Sequence, residues 1–154
     1  AALDRGWCLM EANRPMEAAA AFEVALRASA DAARRDASYG QSLAYLRMGL
    51  VDEAAIAATK APQDSRRAGE LQSAILAERA LGAFEKRRYA DALMALDQRA
   101  LIAPERIDLM VLRGYAYMNI GRYGDARRVL EAAAGTGSRE ALRALAVLRE
   151  QGGG

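Results

Sequence analysis

The stretch Leu112 to Ala134, LRGYAYMNIGRYGDARRVLEAAA, holds two apolar periods separated by a glycine, and the chain returns to this plan at regular intervals. Leu112, Tyr115, Ala116 and Met118 recur at helical spacing. Gly121 interrupts them where a helix end needs a residue that accepts positive φ. Tyr123, Ala126, Val129, Leu130 and Ala133 then form a second helical run. Gly114 and Ala126 are small where two antiparallel helices would touch, and a bulky side chain at either would push the axes apart. The unit is an αα hairpin.

Three more copies are in register with it. The alanine that opens the second helix is Ala126 here and Ala18, Ala54 and Ala92 elsewhere, which gives steps of 36, 38 and 34 residues. Periods of this size mark stacked helical repeats, in which each hairpin buries its apolar face against its neighbours. Other columns agree. Gly6, Ser42, Ala80 and Gly114 are small; Leu9, Tyr45, Ala83 and Tyr117 are mostly large and apolar; Phe22, Ala58, Leu96 and Leu130 are apolar. Hydrophobic residues make up 53% of the chain but aromatics only 6%, so its core must come from close approach of helices.

These residues resemble the tetratricopeptide repeat family, whose pattern has a small residue at place 8, an aromatic at 11, glycine at 15, alanines at 20 and 27, and proline at 32. Gly114, Tyr117, Gly121, Ala126 and Ala133 match it in the fourth copy. Departures occur elsewhere. Asn13 and Arg87 replace the turn glycine that Gly49 and Gly121 supply, only Pro104 occupies the proline place, and Arg99 replaces the alanine at place 27 of the third copy. The resemblance covers about residues 1 to 137. It implies an all-α fold, a right-handed superhelical solenoid of antiparallel hairpins with about four repeats and a terminal helix. One domain would span 1–151, with repeats near 1–30, 36–62, 65–104 and 108–134, a terminal helix at 138–151 and a flexible tail at 152–154.

Local signals set the expected boundaries. Pro15 suits the first turn of a helix. Residues 29–36 read as a polar joint, with the next helix starting near Asp36. Pro62 stops a short helix, and Asp64 or Ser65 caps a long one that runs to Arg87, about two turns longer than the first helix of the repeat. Its partner is expected over 89–103, closed by Pro104. Ser138 caps the last helix, which reads either as a lid on the fourth repeat or as the first half of a fifth. The chain opens without methionine inside a helix that already fits the repeat, as an excised piece or processed product would.

Several chemistries are excluded or disfavoured. The chain has no histidine, which removes Ser-His and Cys-His pairs and the HExxH zinc pattern. Asp52 with Glu53, and Asp91 with Asp97, sit where carboxylates are ordinary on helices, so neither pair points to an enzyme. The glycines at 135–137 lack the preceding strand and following lysine of a phosphate loop. No cofactor or metal is expected. Basic and acidic residues number 22 and 20, without the basic stripe of a nucleic-acid binder or the ordered base-reading column of an RNA-binding helical repeat. No membrane span and no leader are visible. Cys8, the one cysteine, lies in an apolar helix and reads as a buried structural thiol.

In the family, places 2, 5, 9, 12 and 13 of the first helices face a concave groove. The resemblance therefore assigns Trp7, Tyr39, Leu43, Leu81, Tyr115 and Met118 to an apolar, aromatic partner-binding face. The clamp for a terminal carboxylate used by chaperone-tail binders is absent, because place 9 is apolar in every copy. The implied function is a non-enzymatic scaffold that binds another protein or peptide, with a polysaccharide as the second candidate and self-association through open ends as a further possibility. GRYGDARRVLEA and YGQSLAYLRMGLVDEA are similar to periplasmic repeat regions of bacterial exopolysaccharide-export proteins of the cellulose type, which favours the periplasm. A cytoplasmic regulatory or assembly adaptor is the alternative.

Overall fold

A computed structural model describes residues 1–153. All regular structure among them is helical: α1 Ala2–Glu11, α2 Pro15–Ala25, α3 Asp31–Arg47, α4 Val51–Ala58, α5 Ser65–Glu85, α6 Tyr89–Ala100, α7 Ile107–Asn119, α8 Tyr123–Gly135 and α9 Arg139–Leu148. A π-helical turn, Arg149–Gly153, continues α9 past the expected helix end at residue 151. Gly154, the last residue of the expected tail, lies outside the described residues.

The four hairpin turns are built alike. Asn13, Gly49, Arg87 and Gly121 all take positive φ, at 57°, 72°, 60° and 80°. In each turn the following residue donates its N–H to the carbonyl five positions back: Arg14 to Leu9, Leu50 to Tyr45, Arg88 to Ala83 and Arg122 to Tyr117, at 2.8 to 2.9 Å. This is the Schellman closure, which satisfies carbonyls that the helix end leaves without partners. Arg87 adopts the left-handed conformation although an arginine gains nothing from it. The third copy thus keeps the same turn as the others.

Two helix boundaries differ by three or more residues from those expected. α3 starts at Asp31, five residues before the expected start, because the 29–36 segment is alanine-rich and its polar residues pair locally. Arg34 donates to the carbonyls of Ala28 and Ser29 at 2.7 and 2.8 Å and also pairs with Asp31, which sits in the favourable first turn. α6 stops at Ala100, three residues early. Pro104 disfavours helical backbone at Ala103, and the chain turns back, with Ala103 N–H donating to the Arg99 carbonyl. The buried Arg99 side chain holds this turn by donating to the Pro104 carbonyl at 2.9 Å.

Contacts divide the chain into two compact units, Ala1–Glu78 and Arg79–Gly154, the division falling within α5. In the first unit α1 packs on α2, α2 on α3 and α3 on α4, and α1 also meets α3, so successive hairpins stack. Its core joins Met10, Ala18, Ala19, Phe22, Ala25, Ala37 and Ala44. Phe22 is fully buried between two glycines: a Cβ on Gly6 would stand 2.6 Å from its ring, and one on Gly40 2.5 Å. At the α3–α4 crossing, Ser38 and Ser42 donate to the carbonyls of Ala57 and Ala54 at 2.6 and 2.9 Å, so neither buried hydroxyl is left unpaired.

In the second unit α6 packs on α7, α7 on α8 and α8 on α9, with α7 also meeting α9. The core holds Val111, Met118, Ala126, Leu130, Ala133, Ala141, Ala144 and Leu148. Gly114 makes the closest approach, since a Cβ there would lie 2.4 Å from Leu130 Cδ2. Ser138 caps α9 through its Oγ, which accepts from Ala141 N–H at 3.1 Å.

Candidate functional site

The first unit gathers aromatic and charged side chains on its first helices, α1, α3 and the N-terminal part of α5. Trp7 of α1 lies edge-on to Phe22, with ring centroids 5.0 Å apart, and tilts toward Tyr39 of α3 at 6.3 Å. Its indole N–H donates to Asp36 Oδ2 at 2.9 Å. The other carboxylate oxygen of Asp36 accepts from Arg67 Nη1 of α5 at 2.9 Å. The Arg67 guanidinium also stands 4.3 Å from the centroid of the Tyr39 ring, a stacking that suits a planar cation on an aromatic face. Tyr39 donates its hydroxyl to Glu70 Oε2 at 2.6 Å, and Glu70 accepts on Oε1 from Arg66 at 2.5 Å.

This chain of contacts ties three successive first helices together. Each half-buried polar edge has a partner, so the cost of drawing Trp7 and Tyr39 partly out of water is offset by hydrogen bonds. Burial raises the Tyr39 phenol above its usual range, and the hydroxyl's bond to the Glu70 carboxylate raises it further. The phenol is therefore a neutral donor across the physiological range. Beside the cluster lies an open depression of about 950 Å³, lined among others by Leu3, Arg35, Asp36, Gln63, Asp64 and Arg67. Asp64 there accepts the Arg67 backbone N–H at 2.8 Å, capping α5 as its sequence position suggested.

Of the six residues assigned to the partner-binding face, Trp7, Tyr39 and Leu43 belong to the first unit. Trp7 and Tyr39 are in mutual contact, and Leu43 is half-buried against the same core. Leu81, Tyr115 and Met118 belong to the second unit. Leu81 and Tyr115 are half-buried, and Tyr115 packs against the core cluster. Met118 is only 4% exposed and is a member of that core, where it helps to cover the α7–α8 contact. Phe84, at the equivalent place of the third copy, meets Tyr89 edge-on at 5.3 Å. Cys8, expected to be buried, is exposed: the apolar period of α1 runs through Gly6 and Met10 and turns Cys8 outward.

The periodic pattern did not single out Asp36, Arg66, Arg67 and Glu70. Asp36 occupies place 2 of its repeat, a groove place, and could have been found from the register. Arg66, Arg67 and Glu70 have no counterpart in the other copies, because they sit on the additional turns at the start of α5. The length of that helix was the one available signal.

Among the described residues no group of three or more His, Cys, Asp or Glu side chains is placed to hold a metal ion. No described helix is long and apolar enough to cross a membrane. Comparison of the chain with models of protein families, with curated proteins and with solved structures finds no match in any of the three.

Proposed function

We propose that the chain is a non-enzymatic binding scaffold, a right-handed stack of helical hairpins of the tetratricopeptide type, whose first-helix face takes another protein or peptide. The observation that supports this most is the Trp7–Tyr39 pair. Two aromatic rings are held side by side on α1 and α3 by Asp36, Arg67 and Glu70, next to an open depression. Their polar edges are saturated within the molecule, so the face offers a partner ring surface and aliphatic stems at little further conformational cost. Such a pre-ordered surface suits an apolar side chain of an extended or helical segment. The repeat sequence around Gly121 and Gly49, with its likeness to periplasmic regions of exopolysaccharide-export proteins, favours a place in such an assembly.

Trp7 is the one tryptophan in the chain and reports directly on this face. A photo-crosslinker placed at Leu43 should capture a partner in cells, and a crosslinker at Arg128 on α8 should not. Adding the purified partner should shift Trp7 emission, and Tyr39→Ala should weaken the binding while helicity is retained. Capture at Arg128 alone, or binding indifferent to Tyr39→Ala, sinks the proposal and leaves the aromatic pair as an internal tie between helices. Emission shifted by β-glucan oligosaccharides and by no captured protein would transfer the face to a polysaccharide.

A further inference from the structure

Two internal joints of the first unit build the walls of the open depression beside the Trp7–Tyr39 cluster. The joint between α2 and α3, with the first turns of α3, brings Ala32, Arg35 and Asp36 to it. The joint between α4 and α5 brings Pro62, Gln63 and Asp64, and the first turn of α5 brings Arg67. The walls are tied together: Arg67 Nη1 donates to Asp36 Oδ1 at 2.9 Å, and Gln63 Nε2 donates to the Arg35 carbonyl at 2.9 Å. The surface is therefore shaped before anything enters it, which lowers the cost of binding.

The polar groups along it are unequally committed. Asp36 also accepts from Trp7, Arg67 lies against the Tyr39 ring, and Asp64 accepts the Arg67 backbone N–H. Arg35 is exposed, and its guanidinium has no hydrogen-bond or ion-pair partner among the described residues. Ala32 and Arg35 are three residues apart on α3 and so share one of its faces. Gln63 directs its amide nitrogen to the carbonyls of Arg35 and Ala61, which leaves its Oε1 as an acceptor.

These groups select a ligand by its chemistry. An unpaired cation beside the small apolar surface of Ala32 and Pro62 suits a carboxylate near an apolar side chain. An open amide oxygen suits a ligand with free N–H donors, which an extended peptide has and the interior of a helix does not. Side chains on one side of an extended segment recur at every second residue. We propose that the depression binds an extended segment of a partner protein in which an Asp or Glu stands two positions from an apolar residue. The acid pairs with Arg35, the apolar side chain lies over Ala32 and Pro62, and a backbone N–H donates to Gln63 Oε1. This rests on the first-helix face being the partner-binding face, since the depression shares Asp36 and Arg67 with the aromatic cluster.

A displayed library of short random peptides, selected in parallel on the full chain and on its Arg35→Glu variant, tests the proposal. The parent should enrich Asp or Glu two positions from Leu, Ile, Val or Phe, and Arg35→Glu should enrich Lys or Arg in that place. Peptides selected on the parent should lose about fivefold in affinity on Arg35→Ala and about tenfold or more on Arg35→Glu, as for one solvent-accessible ion pair removed and then reversed. Arg143→Glu, which changes the net charge equally at an exposed position of α9, should leave the affinity unchanged. Because the Arg35 side chain holds no other group in place, its variants should keep the helicity and melting of the parent. Selection of no peptide, of peptides without the acid, or of peptides that bind Arg35→Glu as tightly as the parent overturns the proposal. So does an equal loss on Arg143→Glu. In each of these cases capture at Leu43 still decides separately whether the first-helix face binds a protein.

Discussion

At the scale of single residues, cohesion depends on where a hydrogen stands in place of a methyl group. A Cβ at Gly114 would come within 2.4 to 3.0 Å of three side-chain atoms of Leu130, which is fully buried and has no space to retreat into. Gly82, in the last turn of α5, would have nothing within 4 Å of such a Cβ. Gly114→Ala should therefore overpack the α7–α8 contact and destabilise by about 1 to 3 kcal/mol. Gly82→Ala should stabilise by about 0.5 to 1 kcal/mol through helix propensity alone. Urea unfolding of both variants checks this, and midpoints that move in the same direction would contradict the contacts assigned to Gly114. Gly6 and Gly40 extend the principle, since both close on the rigid ring of Phe22 and neither should tolerate alanine. The sequence exposed the first of that pair through its column of small residues. It concealed Gly40, which lies two positions before the column residue Ser42 and is needed only because Phe22 is large.

At the scale of helices, the hairpin turn is the unit that repeats most faithfully, and its chemistry is tested by its worst residue. Arg87 holds φ at 60°, where a side chain crowds the backbone, whereas Asn13 tolerates its 57° better. Arg87→Gly should raise stability by about 1 kcal/mol, and Asn13→Gly should change it less. Thermal melts that rank the two the other way would count against turn strain as the cause. Helix order was legible because each helix leaves an apolar period, and most turn positions because Asn13, Gly49 and Gly121 mark them; the turn at Arg87 was legible only from the repeat register. The start of α3 was not, since Arg34 creates it through bonds to Ala28, Ser29 and Asp31 that no periodicity encodes. Arg34→Ala should accordingly fray α3 back toward Asp36, visible as faster hydrogen exchange over residues 34–37 with the rest of the helix unchanged. The candidate site was half legible for a related reason. Trp7 and Tyr39 follow from the register, while Arg67 and Glu70 come from turns of α5 that the repeat does not contain.

At the scale of the whole molecule, a chain with 22 basic and 20 acidic residues gains little from net charge and uses individual charges as keys between elements. In the second unit Arg113 is one such key. Burial opposes its charge, but hydrogen bonds to Asp97 and Glu105 outweigh that and leave it more firmly protonated than usual. In the first unit Glu23 of α2 accepts from Gln41 of α3 at 2.8 Å and from Lys60, beyond α4, at 2.9 Å, joining three segments. The hydrogen bond from Gln41, followed by that from Lys60, holds its carboxyl below the usual 4.5 despite some opposing desolvation. The unfolded chain takes up the proton first as pH falls. The stabilisation is therefore complete above the ordinary carboxylate value and is lost as pH drops through that value to the depressed one. Glu23→Gln removes this linkage while retaining an acceptor for Gln41. The variant should be less stable than the parent at about pH 7, and the gap should narrow toward about pH 3 as Glu23 takes up its proton. Because the carboxylate is half exposed, the neutral-pH difference should be small and should shrink further in high salt. Urea midpoints at the two pH values measure it, and a gap that stays constant or widens in acid would show that Glu23 contributes through packing and not through its charge.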